Sequence, residues 1–132
     1  TPNIAGAIGL GEAIKYLESI GMEKIEDYEK NLRAYAINKL ILIPHLDILN
    51  IESDSGIISF NVTDVFSQDV AYYLNKYKIC VRAGNHCAKI LKKETGVQNS
   101  LRVSLYFYNT ENDIDNLVEL LSNKEKIVEG IL

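Results

Sequence analysis

The sequence predicts an α+β domain in which helices pack against a mainly antiparallel sheet. Apolar residues recur at helical spacing from Ile4 to Leu17 and again from Ile25 to Leu40, which indicates two consecutive helices. Near the other end, Leu101, Val103, Leu105 and Phe107 alternate with Arg102, Ser104, Tyr106 and Tyr108, the period of a strand with one apolar and one polar face. Between these stretches lie short β-rich runs bounded by turn residues, so the order reads α-α-β-β-α-β-β-α.

The 132 residues are 47% apolar, enough for one domain with a core and too few for two. No run approaches the ~20 apolar residues that cross a bilayer, and no basic segment leads into an apolar stretch at the start. The expectation is a soluble, cytoplasmic protein with no membrane partner. A net charge of −4 argues against nucleic acid as the main partner. Cys80 sits in a strand and Cys87 beyond it, so a disulfide between them is not expected and a reducing compartment suits both.

Thr1-Pro2-Asn3 is a helix entrance, with Thr1 able to accept from free backbone amides and Pro2 placed where its missing donor costs nothing. The first helix runs to about Ile20. Gly6, Gly9 and Gly11 each lower its intrinsic stability by about 1 kcal/mol relative to alanine and are expected where helices pack closely. Gly21 closes it, and a second helix from Met22 to about Leu42 carries Ile25, Tyr28, Leu32, Tyr35, Ala36 and Leu40 on one stripe before Pro44 ends it. Leu46 to Glu52 and Ile57 to Val62 form a hairpin around Ser53-Asp54-Ser55-Gly56, with Ile58, Phe60 and Val62 on one face. Ser67 caps a short helix through Tyr77, packed by Val70, Tyr73 and Leu74, and Ile79 to Arg82 returns as a strand. A turn of helix is expected over Ile90–Glu94. Thr110 caps the last helix, with Glu111 and Asp113 in its first turn and Ile114, Leu117, Val118 and Leu121 facing inward.

Chemistry concentrates in Val81-Arg82-Ala83-Gly84-Asn85-His86-Cys87-Ala88, where a strand runs into a loop bearing an arginine, a histidine and a cysteine. From Val70 to Lys93 there is no Asp or Glu, while Lys76, Lys78, Arg82, Lys89, Lys92 and Lys93 fall inside; the window carries +6 and the rest of the chain −10. Such an island suits a small anion, and cationic neighbours favour the nucleophilic thiolate. Cysteine is ordinarily a small buried hydrophobe, which is the expectation for Cys80; the polar loop makes Cys87 the candidate nucleophile.

Other readings of these residues carry less. His86-Cys87 with Lys93 shares the outline of a phosphatase loop, but lysine stands where arginine would clamp phosphate at two points. Cys80, His86 and Cys87 make a poor zinc set without paired cysteine spacing, so no metal is expected. His45, beside Pro44, reads as a surface turn residue. Arg102, on the polar face of its strand, is either a solvated charge or a bidentate clamp for a carboxylate, and Arg82 has the same two readings. Tyr72, Tyr73, Tyr77, Tyr106 and Tyr108 read as core or interface.

Taken together, Arg82-Ala-Gly-Asn-His-Cys87-Ala, the run Leu101-Arg-Val-Ser-Leu-Tyr-Phe-Tyr-Asn-Thr110 and the opening Thr1-Pro-Asn resemble the C-terminal part of group II cysteine desulfurases, the SufS and selenocysteine lyase relatives among class V aminotransferases. The likeness covers essentially the whole chain, and the short loop at Cys87 favours group II over group I. It implies the small C-terminal domain of a fold-type I pyridoxal phosphate enzyme, with residues 1–21 as a connecting helix and 22–132 as an α+β unit. The large domain that would hold pyridoxal 5'-phosphate is expected outside this chain, and the chain alone is expected to be inactive.

The resemblance further implies removal of sulfur from L-cysteine, giving L-alanine and a persulfide on Cys87. By motif, Cys87 matches the attacking thiolate and Arg102 the arginine that binds the substrate carboxylate. Arg82 and His86 match residues flanking the cysteine at the mouth of the site. Thr1 matches a threonine that reaches the cofactor phosphate of the neighbouring subunit in a homodimer. The implied acceptor is a SufU- or SufE-like scaffold serving iron-sulfur cluster assembly or other sulfur transfer. Selenocysteine lyase and a non-catalytic sulfur-relay or protein-binding module are the alternatives. Two departures stand out: Asn85 replaces the first of the family's usual two histidines, and Asn99-Ser100-Leu101 replaces a small residue before the strand arginine.

Overall fold

The computed structural model describes residues 1–88, 90 and 96–131. Helix α1 (Ile4–Ile20) is capped by Asn3, whose side-chain oxygen accepts from the Gly6 N–H at 2.9 Å; Thr1, the expected cap, lies too far ahead of the first turn. No residue of α1 is buried, and a Cβ built on Gly9 or Gly11 meets nothing within 4 Å. Gly9 and Gly11, expected at a tight helix contact, therefore face open space, and Gly6 instead makes room for the Asn3 cap. Helix α2 (Met22–Leu40) ends two residues short of the expected Leu42, because Leu42 N bonds Lys39 O and Ile43 N bonds Leu40 O in tight turns.

The sheet contains β1 (Leu46–Ile48), β2 (Ile57–Val62), β3 (Arg82–Gly84) and β4 (Ser100–Ser104) in the order β1-β2-β4-β3, with every neighbouring pair antiparallel. The predicted hairpin is β1–β2, though β1 stops at Ile48 and not Glu52. Beyond it, Asn50 substitutes its side chain for the ladder, accepting from Ser59 N at 2.9 Å. Ile58, Phe60 and Val62 are buried on one face as the alternation requires.

Helix α3 (Ser67–Lys76) has Phe66 in the capping position. Ser67 is instead its first helical residue, buried, with its hydroxyl donating to Gln68. The helix closes with Lys78 in the left-handed region at φ +63, Lys78 N on Asn75 O and Ile79 N on Leu74 O. That pair of bonds is the Schellman arrangement, in which the residue after the left-handed one packs back on the helix. Ile79 is thereby spent on ending α3, and the strand predicted from Ile79 begins only at Arg82.

Strand β4 ends at Ser104, earlier than the alternation through Tyr108 predicts, because Tyr106 N bonds Asn109 Oδ1 and Asn109 N bonds Tyr106 O in a turn. Helix α4 (Glu111–Leu121) carries the full capping box between Thr110 and Asp113. A final helix, α5 (Lys124–Ile131), follows that was not predicted; Asn123 Oδ1 accepts from Lys126 N at its start. It lies so close to α3 that a Cβ on Gly130 would sit 2.5 Å from the Tyr73 ring. The helical turn predicted over 90–94 lies outside the described residues, Ile90 excepted.

Packing is one-sided. Leu32, Ala36 and Leu40 of α2, Val70 and Leu74 of α3 and Ile114, Leu117 and Leu121 of α4 bury against Ile58, Phe60 and Leu101 on the sheet. Each of these side chains other than Ala36 is worth about 1.5–3 kcal/mol on burial, so this layer holds the domain. The opposite face of the sheet is left polar. Among the described residues no helix is long and apolar enough to cross a membrane.

Candidate functional site

Alternation along β4 sends Leu101 and Val103 toward the helices and Ser100, Arg102 and Ser104 to the polar face. In register, Arg102 lies opposite Ser59 of β2 and opposite Arg82 of β3. Directly opposed residues in an antiparallel pair share a face with their Cβ atoms about 4.5–5.5 Å apart, and like charges so placed repel. Among the described residues neither arginine forms an ion pair. Arg102 Nε is also buried without a hydrogen-bond partner. An unmet buried donor costs roughly 1–3 kcal/mol, so an anion bound between the two guanidiniums would relieve both the repulsion and the orphaned donor.

The loop that follows β3 is built from unusual backbone. Gly84 has φ +129, a conformation open only to glycine, and it opens the reversal after the strand. His86 at φ +51 and Cys87 at φ +58 continue in the left-handed region, where a residue with a Cβ pays about 1–2 kcal/mol. Strain of this kind collects at functional sites. Among the described residues, Ala88 N donates to Asn85 O at 2.9 Å, and His86 Nε2 lies 3.0 Å from Ser100 O and 3.1 Å from Ser100 Oγ. Cys87 is exposed as a free thiol.

His86, Arg82 and Arg102 thus gather at one end of the polar face. Ser100 and Arg102 are alternate residues of β4, and Gly84 and Arg82 alternate residues of β3, each pair in register with the other. Thr1 is exposed ahead of α1 and, among the described residues, shares no hydrogen bond with this group. Of the island's cations, Lys76 is committed elsewhere, donating to Gly130 O and lying 4.8 Å over the Tyr72 ring, while Lys89, Lys92 and Lys93 are outside the described residues.

Two expectations are corrected. Cys80 is exposed and not in the core: Ile79 and Val81 on either side of it pack toward the core, which turns Cys80 outward. It lines an open groove of about 630 Å³ between residues 77–81 and α4. His45 is not a free surface residue: it is half-buried with Nε2 2.7 Å from Leu121 O, satisfying a carbonyl at the end of α4. Of the tyrosines, Tyr73 is core and Tyr72, Tyr77 and Tyr108 are exposed. Ser100 is not foreseen as a partner of the loop: alternation puts it on the face of Arg102, but its place opposite Gly84 is set by register.

Comparison with known proteins converges on one kind of enzyme. Residues 1–117 match the Aminotransferase class-V family. The chain is 42% identical over 128 residues to a "Probable cysteine desulfurase" of Staphylococcus epidermidis, covering 96% of this chain and 31% of that relative. It is 43% identical over 126 residues to a "Probable cysteine desulfurase" of Halalkalibacterium halodurans, with the same coverage of 96% and 31%. Among solved structures, the cysteine desulfurase CsdA from Escherichia coli superposes with a TM-score of 0.87 at 33% identity over 98% of this chain and 31% of that one. A cysteine desulfurase from Thermococcus onnurineus NA1 gives a TM-score of 0.86 at 34% identity, over 92% and 31%. The chain therefore spans about a third of the length of the relatives it matches.

Proposed function

Because the chain belongs to the class-V aminotransferase family, we propose that it is the small C-terminal domain of a group II, SufS-like cysteine desulfurase, with residues 1–21 as connecting helix and a large cofactor domain elsewhere in the protein. The observation that carries this reading is Arg102, its Nε buried without a hydrogen-bond partner among the described residues, opposite Arg82 on the face beside the exposed Cys87 loop. That donor set fits a small carboxylate, and the exposed hydroxyl of Thr1 fits a phosphate oxygen. When bound, pyridoxal phosphate supplies the electron sink that makes the C–S bond of L-cysteine labile.

The chain's own residues perform the rest. Arg102 holds the substrate carboxylate at two points and sets the amino acid's orientation, and Arg82 adds positive potential beside it. Cys87, as thiolate, attacks the substrate sulfur. An S–S bond forms as the C–S bond breaks, the electron pair stays with the carbon fragment, and that fragment takes a proton to become L-alanine. The loop's exposure then lets the persulfide meet a SufU- or SufE-like acceptor, for iron-sulfur cluster assembly or another sulfur transfer. Thr1 reaches across a homodimer to the partner's cofactor phosphate, in the cytoplasm. These 132 residues alone turn over no cysteine.

The intact protein incubated with L-cysteine is expected to release alanine and to carry one extra sulfur on Cys87 in peptide mass spectra. Turnover of selenocysteine without turnover of cysteine would favour a selenocysteine lyase. Neither turnover would favour a sulfur-relay module.

A further inference from the structure

We propose that Ser100 is a positioning residue that fixes the His86 ring as its Nε2–H tautomer, so that His86 meets the ligand on the arginine face as a hydrogen-bond acceptor through Nδ1. Ser100 O carries no proton and can only accept, so the nitrogen 3.0 Å from it must donate. Ser100 Oγ lies 3.1 Å from the same nitrogen and, as a hydroxyl that can donate or accept, does not itself choose the tautomer. The other tautomer would face a bare Nε2 lone pair toward the carbonyl oxygen and lose that bond, a bias of roughly tenfold. Water competes little, since Ser100 is only 9% exposed. A neutral imidazole has one N–H; with Nε2 protonated, Nδ1 keeps its lone pair.

The sheet makes this arrangement specific to one side of the ring. Ser100 is in register with Gly84 and alternates with Arg102, so a single strand face presents the anchor of His86 and the guanidinium that holds the ligand. Asn61 Nδ2 braces the preceding residue by donating to Asn99 O at 3.0 Å. Arg82 and Arg102 offer only donors. An acceptor nitrogen beside them is the group the site otherwise lacks, suited to an N–H or S–H of an amino-acid ligand. This role rests on the proposed function; the tautomer itself does not.

The test begins with the intact protein labelled with 15N-histidine, at a pH where the ring is neutral, with the His86 signals assigned by their loss in His86→Gln. Nε2 is expected to be protonated and Nδ1 bare; an Nδ1–H ring or an equal mixture would overturn the proposal. Ser100→Ala removes Oγ and keeps the carbonyl, so the Nε2–H ring should persist. An Nδ1–H ring in that variant overturns the carbonyl's hold on the tautomer. His86→Gln places an amide N–H at the Nε2 position and leaves nothing at Nδ1, so Cys87 alkylation should stay at the wild-type rate while turnover falls at least tenfold. Because the tautomer is read without turnover, an Nε2–H ring in a protein that never desulfurates cysteine would support the proposal's geometry and count against the function alone.

Discussion

Arg82 and Arg102 stand directly opposite one another across the β3–β4 pair, two guanidiniums on one face of the sheet. Such a pairing is destabilising unless an anion lies between them, and among the described residues Arg102 Nε has no partner. Arg102→Lys keeps the charge but cannot reproduce a planar two-point contact, so kcat/KM for cysteine in the intact protein should fall about 10- to 100-fold, the cost of one charge-assisted hydrogen bond. Steady-state kinetics indistinguishable from wild type would reduce Arg102 to a strand charge.

The two cysteines are both exposed, yet they sit in different surroundings, Cys87 on the strained loop and Cys80 in the groove beside α4. Cys87→Ala should abolish persulfide formation in the intact protein, and Cys80→Ala should leave it near the wild-type rate. Sulfide release at full rate from the Cys87 variant would remove that thiol from the reaction.

A third prediction concerns the hairpin that supports the polar face. Arg33 of α2 is buried and gives its guanidinium to the carbonyls of Asn50, Ser55 and Ile57. Arg33→Met fills the space but takes the guanidinium donor from the Asn50 and Ser55 carbonyls, while Ile57 O keeps Asn50 Nδ2, so denaturant unfolding should show a loss of roughly 2–4 kcal/mol. A loss below about 0.5 kcal/mol would mean that water replaces the guanidinium freely.

The fourth is a pH dependence. Asp115 of α4 accepts from Lys39 and from the Tyr35 hydroxyl, and these bonds, Lys39 first, hold its carboxyl below the ordinary carboxylate range. The folded-state value is the lower one, so the stabilisation is fully present above the unfolded value and is lost as pH falls through the folded one. Wild type should melt above Asp115→Asn at neutral pH, and the gap should close in acid. A gap that persists in strong acid would assign the effect to something other than the carboxylate.

Much of the fold can be read from periodicity. Most of the α2 and α4 stripes and the alternation of β2 emerge as predicted because burial on one side enforces the pattern residue by residue; Tyr28, expected on the α2 stripe, is instead exposed with its hydroxyl donating to Asn109 O. Where local hydrogen bonds overrule periodicity, prediction slips. The Schellman ending puts the left-handed position on Lys78 where glycine is usual, which hides the helix end and displaces the strand from Ile79 to Arg82. Helix α5 goes unpredicted since it has only Asn123 and a few apolar residues to announce it, with Gly130 weakening the signal. At the site, the chemistry-bearing residues are visible in sequence, but the Arg82–Arg102 pairing and the hold of Ser100 on His86 depend on register, which no local pattern specifies.

Helix α1 has no buried residue, with Ile8 64% and Leu10 63% exposed, and its packing is against α2 alone among the larger contacts. Its three glycines, each costing about 1 kcal/mol relative to alanine, leave it dependent on tertiary support that it largely lacks. In the 132-residue chain its amides should therefore exchange with solvent deuterium through local opening, orders of magnitude faster than those of β2 and β4, which open only with the whole domain. Two tiers of protection within one chain make α1 the natural place for a protease to cut first and leave the sheet, the arginine face and the Cys87 loop intact.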